Sequence, residues 1–263
     1  MTGPLDAVAL NRDLELTRFA GRVLCVAECE STNLLALQLA SRRGREADRT
    51  VILAEHQAAG RGRLGRSWQA PRGAGLLMTV LIHGEPPVAC RLVLATGIAV
   101  CETVAEVADV TASLRWPNDV FVGSRKLAGV LVETAASEPG NALALGIGLN
   151  CLQKPGHFAP ELRDHATSLE IESPRAIDRH TVAVRLLTRL DKWLDAAFDP
   201  ADASLARVWV EHSDDLGRRA TLTHAGRTLS GTVVEIDDSL GAWLQLDDGG
   251  RVRFDPLTTR RIG

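Results

Sequence analysis

Apolar and polar positions follow two different periods along most of the chain. Short, almost continuous apolar runs predict buried β-strands, and apolar residues spaced three and four apart predict helices. The predicted strands are residues 23–27, 51–54, 76–82, 113–116, 119–122, 126–134 and 143–149. The predicted helices begin near Ser31, Val88, Asp178 and Ser204. Strands and helices therefore share this part of the chain, and no internal repeat accompanies them.

The pattern changes after Asp215, where only short strands are predicted. They cover residues 219–223, 228–236, 242–246 and 251–254, with glycine- and aspartate-rich turns between them. A run of hairpins of this kind predicts a small β barrel. We therefore expect two domains, residues 1–213 and 214–263, with the boundary near Ser213.

One long loop interrupts the pattern at residues 55–75. This length is more typical of a binding loop or a disordered segment than of a plain connection. Gly60, Gly62 and Gly65 have the G-x-G-x-x-G spacing of a dinucleotide-binding turn. That interpretation requires a helix directly after the glycines. Pro71 and two further glycines leave no room for a helix before the next strand, so a dinucleotide site is disfavoured.

The same loop carries four arginines, Arg61, Arg63, Arg66 and Arg72, and no acidic residue lies between them. Glycines let backbone N–H groups come close to a ligand, and arginines offer forked donors that suit phosphate and carboxylate oxygens. The residues alone leave two interpretations open. The loop either orders over a bound anion or is a solvated cationic segment.

Composition limits the classes of function. The chain has 263 residues and a net charge of −3, which disfavours a generally basic nucleic-acid binder. Its five cysteines are an odd number without a Cys-x-x-Cys pair, so we expect reduced thiols in a cytoplasmic protein. No secretory signal is visible, and charged residues interrupt the longest apolar run. A membrane span is therefore not expected.

Five segments resemble, in the same order, the motifs of the biotin protein ligases. The most specific is EHQAAGRGRLGRSW at residues 55–68, which is similar to the biotin-binding loop of that family almost position for position. The others are Ser31-Thr32-Asn33, Trp116-Pro117-Asn118-Asp119, KLAGVLVE at 126–133 and GIGLN at 146–150, with a weaker match at 166–169. Each motif alone is weak evidence. Their common order over residues 23–263 makes the resemblance specific.

The resemblance implies an α+β fold. A class II synthetase-like catalytic domain with a mixed β-sheet flanked by helices would precede a small SH3-like β barrel. It implies the monofunctional type without an N-terminal DNA-binding domain, because only about twenty residues precede the first predicted strand. ATP and biotin would be the substrates, with Mg²⁺, and the partner a biotin carboxyl carrier protein of acetyl-CoA carboxylase or a related carboxylase. No DNA or membrane partner is expected, and either a monomer or a homodimer fits.

The resemblance also implies which residues would bind biotin. They are Ser31, Thr32, Asn33, Gln57, Gly60, Arg61, Gly62, Arg63, Lys126 and Gly129. The hydroxyls of Ser31 and Thr32, with a helix N-terminus, would bond the ureido carbonyl of biotin. The arginines of the loop would close over the biotin carboxylate and the adenylate phosphate.

The nucleotide would contact a second, overlapping set. It comprises Arg63, Arg66, Trp68, Asn118, Lys126 and Asn150. The catalytic residues implied are Arg63, Lys126 and Asp119. A positive charge at Lys126 would stabilise the transition state of adenylate formation, and Asp119 would help to place the acceptor lysine. No metal held by protein ligands is expected. Arg115 stands where the family usually has a lysine, and we do not include it.

Simpler explanations of single residues stay open. Ser31 fits a helix N-cap, Asn118 and Asp119 fit a turn, and Lys126 fits a solvated strand end. Two rival functions are a lipoate or octanoate protein ligase, which shares the catalytic architecture, and a nucleotide-responsive or RNA-binding module. The ending at residues 254–261 departs from that usual in the family, so the resemblance does not fix its role in ATP or acceptor contacts.

Overall fold

The computed structural model describes residues 3–85, 88–137, 140–224, 226–237, 239, 241–256 and 258–262. Its helices are α1 (Ala7–Asp13), α2 (Thr32–Arg43), α3 (Val88–Ala108), α4 (Leu169–Glu172), α5 (Arg179–Phe198) and α6 (Ser204–Glu211). Its strands are β1 (Val23–Val26), β2 (Val51–Ala54), β3 (Gly75–His83), β4 (Ser113–Arg115), β5 (Asp119–Val122), β6 (Arg125–Ala136), β7 (Asn141–Asn150), β8 (Arg219–His224), β9 (Arg227–Ile236), β10 (Ala242–Leu246), β11 (Arg251–Phe254) and β12 (Arg260–Arg261). Short 3₁₀ turns lie at Gly44–Ala47, Arg63–Gly65, Pro155–His157 and Pro160–Leu162.

The first seven strands form one mixed sheet in the order β1-β2-β3-β7-β6-β5-β4. β1 and β2 are parallel, and the other neighbours are antiparallel. All residues of β3 are buried, because this apolar strand has layers on both of its faces. The mixed sheet flanked by helices is therefore confirmed.

Helices cover the two faces of this sheet. α3 and α5 pack together over one face, where the apolar stripe of α5 is buried as its spacing predicts. The Asp178 carboxylate caps α5 by accepting from Thr181 N at 2.9 Å. α2 packs on the opposite face, against Ile52, Leu81 and Ala144. The N-terminus of α2 is thereby brought onto the surface of the central strands.

The last five strands form a small antiparallel sheet in the order β11-β10-β9-β8-β12. The four strands predicted in this part are present, and β12 is an additional short one. Leu222, Val233 and Leu244 belong to the same hydrophobic core as α3 and α5. The two sheets are therefore joined by continuous apolar packing, close to the end of α6 at Glu211 and the start of β8 at Arg219.

Several short elements, among them α1, α4 and the 3₁₀ turns, were not expected from the sequence. α1 was not predicted, because its seven residues bury only Leu10 and show no extended apolar stripe. The loop at residues 55–75 contains a 3₁₀ turn at Arg63–Gly65 where no element was expected. The turn at Gly123, with a φ of 58°, joins β5 to β6 as predicted.

All five cysteines are free thiols. Cys101 and Cys151 are buried, and burial raises the pKa of both thiols to about 12. Cys25, Cys29 and Cys90 are half-buried. Among the described residues, no helix has the length and apolar character needed to cross a membrane.

Candidate active site

A cavity of about 730 Å³ opens on the face of the large sheet that carries α2. Gly129 on β6 and Gly146 and Gly148 on β7 line it. The strand register pairs Gly129 with Gly148. Residues two apart on a strand point to the same face, so the three glycines lie side by side. They form a floor without side chains, and backbone can come close to a ligand there.

The N-terminus of α2 forms one end of the cavity. Thr32 and Asn33 are buried, and Gln57 Oε1 accepts hydrogen bonds from Thr32 N at 2.7 Å and Thr32 Oγ1 at 2.9 Å. The Thr79 hydroxyl on β3 lies 2.7 Å from Thr32 Oγ1 and 2.6 Å from Asn33 Oδ1. Ser31 occupies the N-cap position, but its side chain makes no capping bond. This end therefore offers buried hydroxyl and amide groups beside a helix N-terminus, which suits a polar carbonyl.

Glu133 on β6 connects this polar cluster to the arginine loop. Its Oε2 accepts from Asn33 Nδ2 at 2.8 Å, and its Oε1 lies 3.0 Å from Arg61 Nη1. The Asn33 side chain also packs directly against Gly146. A Cβ on Gly146 would collide with the Asn33 amide, so only glycine leaves room for it there. The position of Asn33 thus depends on a glycine and a carboxylate that are both distant in sequence.

The arginine loop folds back on itself as a narrow hairpin. Trp68 N donates to Gly60 O at 2.9 Å, and Gly62 N donates to Arg66 O at 2.7 Å. Leu64 at the tip has a φ of 55°, a left-handed conformation uncommon outside glycine. A Cβ on Gly60 would collide with the Trp68 carbonyl oxygen. Gly60 therefore supports this closed form of the loop, and it lies outside the cavity wall.

The Trp68 indole lies on the glycine floor. Its ring is so close to Gly148 that a Cβ there would sit 2.5 Å from Trp68 Cε2. The indole Nε1 is buried and has no hydrogen-bond partner within the part of the chain that is described. A buried donor of this kind is rare, and a water molecule or a ligand in the cavity could accept its hydrogen bond.

Arg63 crosses from the loop to two other parts of the molecule. Its Nη1 donates to Asn118 Oδ1 at 3.1 Å. Its Nη2 donates to the carbonyl oxygens of Pro256 and, at 3.1 Å, of Thr259. Burial is the main cause that lowers the pKa of Arg63 from its ordinary value, but a guanidinium stays charged in proteins. A fixed positive charge is therefore held at the mouth of the cavity.

Lys126 and Asp119 form an ion pair in the cavity wall. Lys126 Nζ lies 2.6 Å from Asp119 Oδ1 and 5.6 Å from the centre of the Trp68 ring. The backbone of Lys126 bonds the segment before α4. Lys126 N donates to His165 O at 2.8 Å, and Lys126 O accepts from Thr167 N at 2.9 Å. A Cβ on Gly129 would lie 3.3 Å from Lys126 Nζ, so glycine leaves the ammonium group room to move.

The two asparagines predicted at the nucleotide are both tied to neighbouring backbone. Asn118 Nδ2 donates to Val130 O at 2.6 Å, which leaves its Oδ1 for Arg63. Asn150 Nδ2 donates to Thr167 O at 2.8 Å, and its Oδ1 accepts from Gln153 Nε2 at 2.9 Å. Both side chains therefore fix the cavity wall, whatever else they contact.

The wall carries far more positive than negative charge. Its cations are Arg61, Arg63, Arg66, Arg115, Lys126, Arg260 and Arg261, and its acids are Asp119 and Glu161. Arg61 is linked through Glu133 to Asn33 of the buried cluster, whereas Lys126 lies beside Asp119 and Arg63 beside Asn118. One end of the cavity thus suits a neutral polar group and the other suits carboxylate and phosphate oxygens. Such a site can hold two anions together and stabilise the charge that develops between them.

All the predicted site residues except Gly60 line this one cavity. Their individual roles stay predictions. Thr79, Glu133, Gly146 and Gly148 belong to the site but were not predicted. Glycines at alternate positions of an apolar strand were a usable signal for Gly146 and Gly148. Glu133 is the last residue of the KLAGVLVE motif, but nothing in that motif indicated its partners, and Thr79 had no signal, because the packing of α2 on the sheet sets the partners of both.

The comparisons with known proteins agree with this geometry. Residues 28–150 match the model of the Biotin/lipoate A/B protein ligase family. The chain is 37% identical over 256 residues to a biotin--[acetyl-CoA-carboxylase] ligase of Mycobacterium tuberculosis, with 94% of this chain and 92% of that protein covered. It is 30% identical over 226 residues to the bifunctional ligase/repressor BirA of Bacillus subtilis, with 83% and 68% covered.

A solved structure shares the fold over nearly the whole chain. It is a biotin protein ligase from Aquifex aeolicus in complex with biotin and ATP, with a TM-score of 0.76 and 26% sequence identity. The similarity covers 92% of this chain and 100% of that one.

Proposed function

Because this chain belongs to the biotin protein ligase family, we propose that it activates biotin with ATP and transfers it to a carrier protein. In the first half-reaction the biotin carboxylate attacks the α-phosphate of ATP, which forms biotinyl-5′-AMP and releases pyrophosphate. In the second, the ε-amine of a lysine on a biotin carboxyl carrier protein attacks the mixed anhydride and releases AMP. The carrier would be that of acetyl-CoA carboxylase or a related carboxylase.

One observation carries the proposal: a single cavity joins a neutral polar end to a cationic end. Thr32, Asn33 and Gln57 lie at the first end, and Arg63 and Lys126 lie at the second. Biotin has the same two-ended chemistry, with a ureido ring at one end and a carboxylate at the other. Its carboxylate would then lie where the phosphates of ATP are also attracted.

The polar end would select the ureido ring. The helix N-terminus and the hydroxyls at Ser31 and Thr32 favour a carbonyl oxygen, and amide and hydroxyl acceptors suit the ureido N–H groups. The dithiolane ring of lipoate offers no such groups. Thr32 and Asn33 bond Gln57, Thr79 and Glu133, and the ureido group could exchange some of these bonds for its own, whereas the dithiolane ring would gain no polar contact there. This favours biotin over the rival substrate.

The cationic end would stabilise the reacting groups. Lys126 lies 5.6 Å from the centre of the Trp68 ring and Arg63 lies beside Asn118, and the two cations would share the oxygen atoms of the α-phosphate and the carboxylate. The reaction needs charge neutralisation and alignment more than a protein nucleophile. When Lys126 turns towards a phosphate, Asp119 loses its partner. Its carboxylate would then attract the ammonium group of the acceptor lysine.

Mg²⁺ is proposed as the companion of ATP and not as a resident ion. Among the described residues, no three His, Cys, Asp or Glu side chains are grouped closely enough to hold a metal. Mg²⁺ keeps several waters and binds readily through phosphates with few protein ligands. Asp119 is an acid of the wall that such a hydrated ion could approach.

The hairpin loop would also protect the intermediate. An acyl adenylate is hydrolysed if water reaches it, and a loop that covers the ligand excludes water. In this proposal, Gly60 to Trp68 forms that cover, and the indole closes it over the glycine floor. We also propose that residues 1–213 and 214–263 form two domains, and that no DNA is bound.

The proposal is tested by replacing Lys126 with alanine. Loss of one charge-stabilising donor should reduce biotin-dependent exchange between ATP and pyrophosphate by about 10²- to 10³-fold. The fold should be retained, because Lys126 is a partly exposed side chain at the cavity wall. Lys192→Ala on α5 is the matched control and should behave as the wild type.

Three results would refute the assignment. They are wild-type exchange in Lys126→Ala, faster adenylate formation with lipoate than with biotin, and a carrier domain whose mass stays unchanged after incubation with enzyme, ATP and biotin. The expected mass change is the addition of one biotinyl group.

A further inference from the structure

A buried carboxylate lies between the two sheets, next to the cavity. Asp215 is 1% exposed. Its Oδ2 accepts a hydrogen bond from Trp116 N at 2.5 Å, and its Oδ1 pairs with the Arg261 guanidinium on β12. Trp116 begins the turn that ends at Asn118. Asp215 therefore ties a wall of the cavity to the last strand of the chain.

The segment just before the last strand also contacts the cavity wall, at Arg63. Pro256 and Thr259 present their carbonyl oxygens to Arg63 Nη2. We call Pro256, Thr259 and Arg261 the C-terminal clamp. Through Arg63 the clamp contacts the arginine loop, and through Asp215 it contacts the Trp116 turn.

These contacts close a ring around the cationic end of the cavity. Arg63 bonds Asn118, the turn leads back from Asn118 to Trp116, and Trp116 N bonds Asp215. Asp215 pairs with Arg261, and the chain leads back to Thr259 and Arg63. A closed ring constrains each member more than an open chain of contacts would. The position of the Arg63 guanidinium therefore depends on the small sheet.

Stability alone does not account for this arrangement. Burying a carboxylate and a guanidinium costs desolvation energy, and an apolar pair of similar size is often as stable. Unlike an apolar pair, this ion pair makes directional bonds, and one of them fixes a backbone N–H at the start of the Trp116 turn. Fixing the supports of a reactive group is what a precise site requires.

We propose that Asp215 and Arg261 are positioning residues for adenylate formation. They hold the Trp116 turn and, through the C-terminal clamp, set the Arg63 guanidinium at the phosphate end of the cavity. This inference rests on the proposed ligase function and adds residues to it. Neither the sequence motifs nor the resemblance named Asp215 or Arg261.

The test compares two variants with a matched control. Arg261→Ala removes the guanidinium, and Asp215→Asn is milder because the amide oxygen still accepts from Trp116 N. We expect kcat of biotin-dependent pyrophosphate exchange to fall by roughly 10- to 100-fold in Arg261→Ala, the loss typical of a misplaced reactive group. KM for biotin should stay near the wild-type value, because the ureido end is held at Thr32 and Gln57. Arg219→Ala breaks an exposed ion pair with Asp247 in the same sheet and should change neither constant.

A double variant shows whether the effect passes through Arg63. If Arg261 acts by placing Arg63, then Arg261→Ala should add little in an Arg63→Ala background. A merely structural role would give losses that multiply. If Arg261→Ala does not fold, the same test is made with Asp215→Asn, by measuring kcat of pyrophosphate exchange and KM for biotin. Wild-type kcat in the folded variants, or fully additive losses, would overturn the inference.

Trypsin cleavage of the loop separates this inference from the proposed function. With Arg63 released from the clamp, cleavage at Arg61, Arg63 or Arg66 should be faster in Arg261→Ala than in Arg219→Ala. A wild-type protein that forms no adenylate would refute the ligase proposal. The cleavage rates need no enzymatic activity and would still test whether the C-terminal clamp holds Arg63. Equal cleavage rates in the two variants would count against the clamp.

Discussion

Replacing Gly148 with alanine puts a methyl group into the space of the Trp68 indole. The added Cβ would lie 2.5 Å from Trp68 Cε2, 2.8 Å from Nε1 and 2.9 Å from Cδ2. Carbon atoms in contact prefer separations of about 3.5–4.0 Å. One of the two groups must therefore move by roughly 1 Å to restore ordinary contact.

The indole is the group that should move. Gly148 lies inside the sheet, where β7 is paired with β3 on one side and β6 on the other. Trp68 belongs to the hairpin loop, and its Nε1 has no protein partner to hold it among the described residues. Overpacking of this size costs about 1–3 kcal/mol. This energy should destabilise the closed position of the loop and leave the free energy of unfolding almost unchanged.

An energy of that size corresponds to a roughly 5- to 150-fold weaker binding of ATP, since about 1.4 kcal/mol is tenfold. We expect it as an increase in KM for ATP during pyrophosphate exchange, because the indole closes over the nucleotide end. Urea unfolding should give nearly the wild-type free energy. Gly84→Ala is the matched control: its Cβ would lie 3.4 Å from Phe198 Cε1, an ordinary contact outside the cavity.

A double variant tests the stated cause. In a Trp68→Ala background the added methyl group has no indole to displace, so Gly148→Ala should have little further effect. The reasoning is refuted if Gly148→Ala leaves KM for ATP unchanged. It is also refuted if the free energy of unfolding falls by the full 1–3 kcal/mol expected for overpacking while ATP kinetics stay intact.

Two further predictions concern the loop and the buried thiols. Biotin with ATP should slow trypsin cleavage at residues 61–66, and equal cleavage with and without these substrates would contradict loop closure. Burial raises the pKa of Cys101 and Cys151 to about 12, so their contribution to stability is complete below the unfolded pKa of about 8.5 and is lost as pH rises above it. Between pH 9 and 11 the free energy of unfolding should fall by about 1.4 kcal/mol per pH unit for each thiol, and this slope should be smaller in Cys151→Ala.

Elements with a long, regular pattern were predictable from the sequence. α3 and α5 have apolar stripes of many turns, and their boundaries agree with the spacing of apolar residues. The strands around Gly123 follow from a turn that needs a positive φ. α1 could not be predicted, because a helix of two turns gains most of its stability from packing and not from its own sequence.

The site was predictable in its parts, but the contacts that join those parts were not. Gln57 and Thr32 were both expected at biotin, yet nothing local indicates that the Gln57 amide accepts two bonds from Thr32. Ser31 was also expected to fit an N-cap, and its hydroxyl makes no such bond although the residue stands at that position. Glu133 joins Asn33 and Arg61 across long stretches of chain. Only the strand register and the position of α2 bring these groups together.

The strand register also explains why motifs that are weak alone specify one site together. Gly129 opposes Gly148, and Leu131 opposes Gly146, so the KLAGVLVE and GIGLN segments form one flat surface. α2 places Asn33 against that surface, and the loop places Trp68 on it. Gly146 and Gly148 thus each have a specific bulky neighbour from another motif. A change that enlarges either glycine must displace the side chain of a different motif, and for this reason these motifs are required together.

The side chains at the cationic end also depend on one another, through pairing of their charges. Arg61 pairs with Glu133, Lys126 pairs with Asp119, and Arg63 is bound by carbonyl and amide oxygens. These partners relieve the repulsion that a bare cluster of arginines and a lysine would suffer. An anion that binds Arg61, Lys126 and Arg63 must replace several of these oxygens at once. A simple monoanion offers fewer oxygens for that exchange than a carboxylate next to a triphosphate. We therefore expect the pairing of these three cations to favour the two substrates together over a single simple anion.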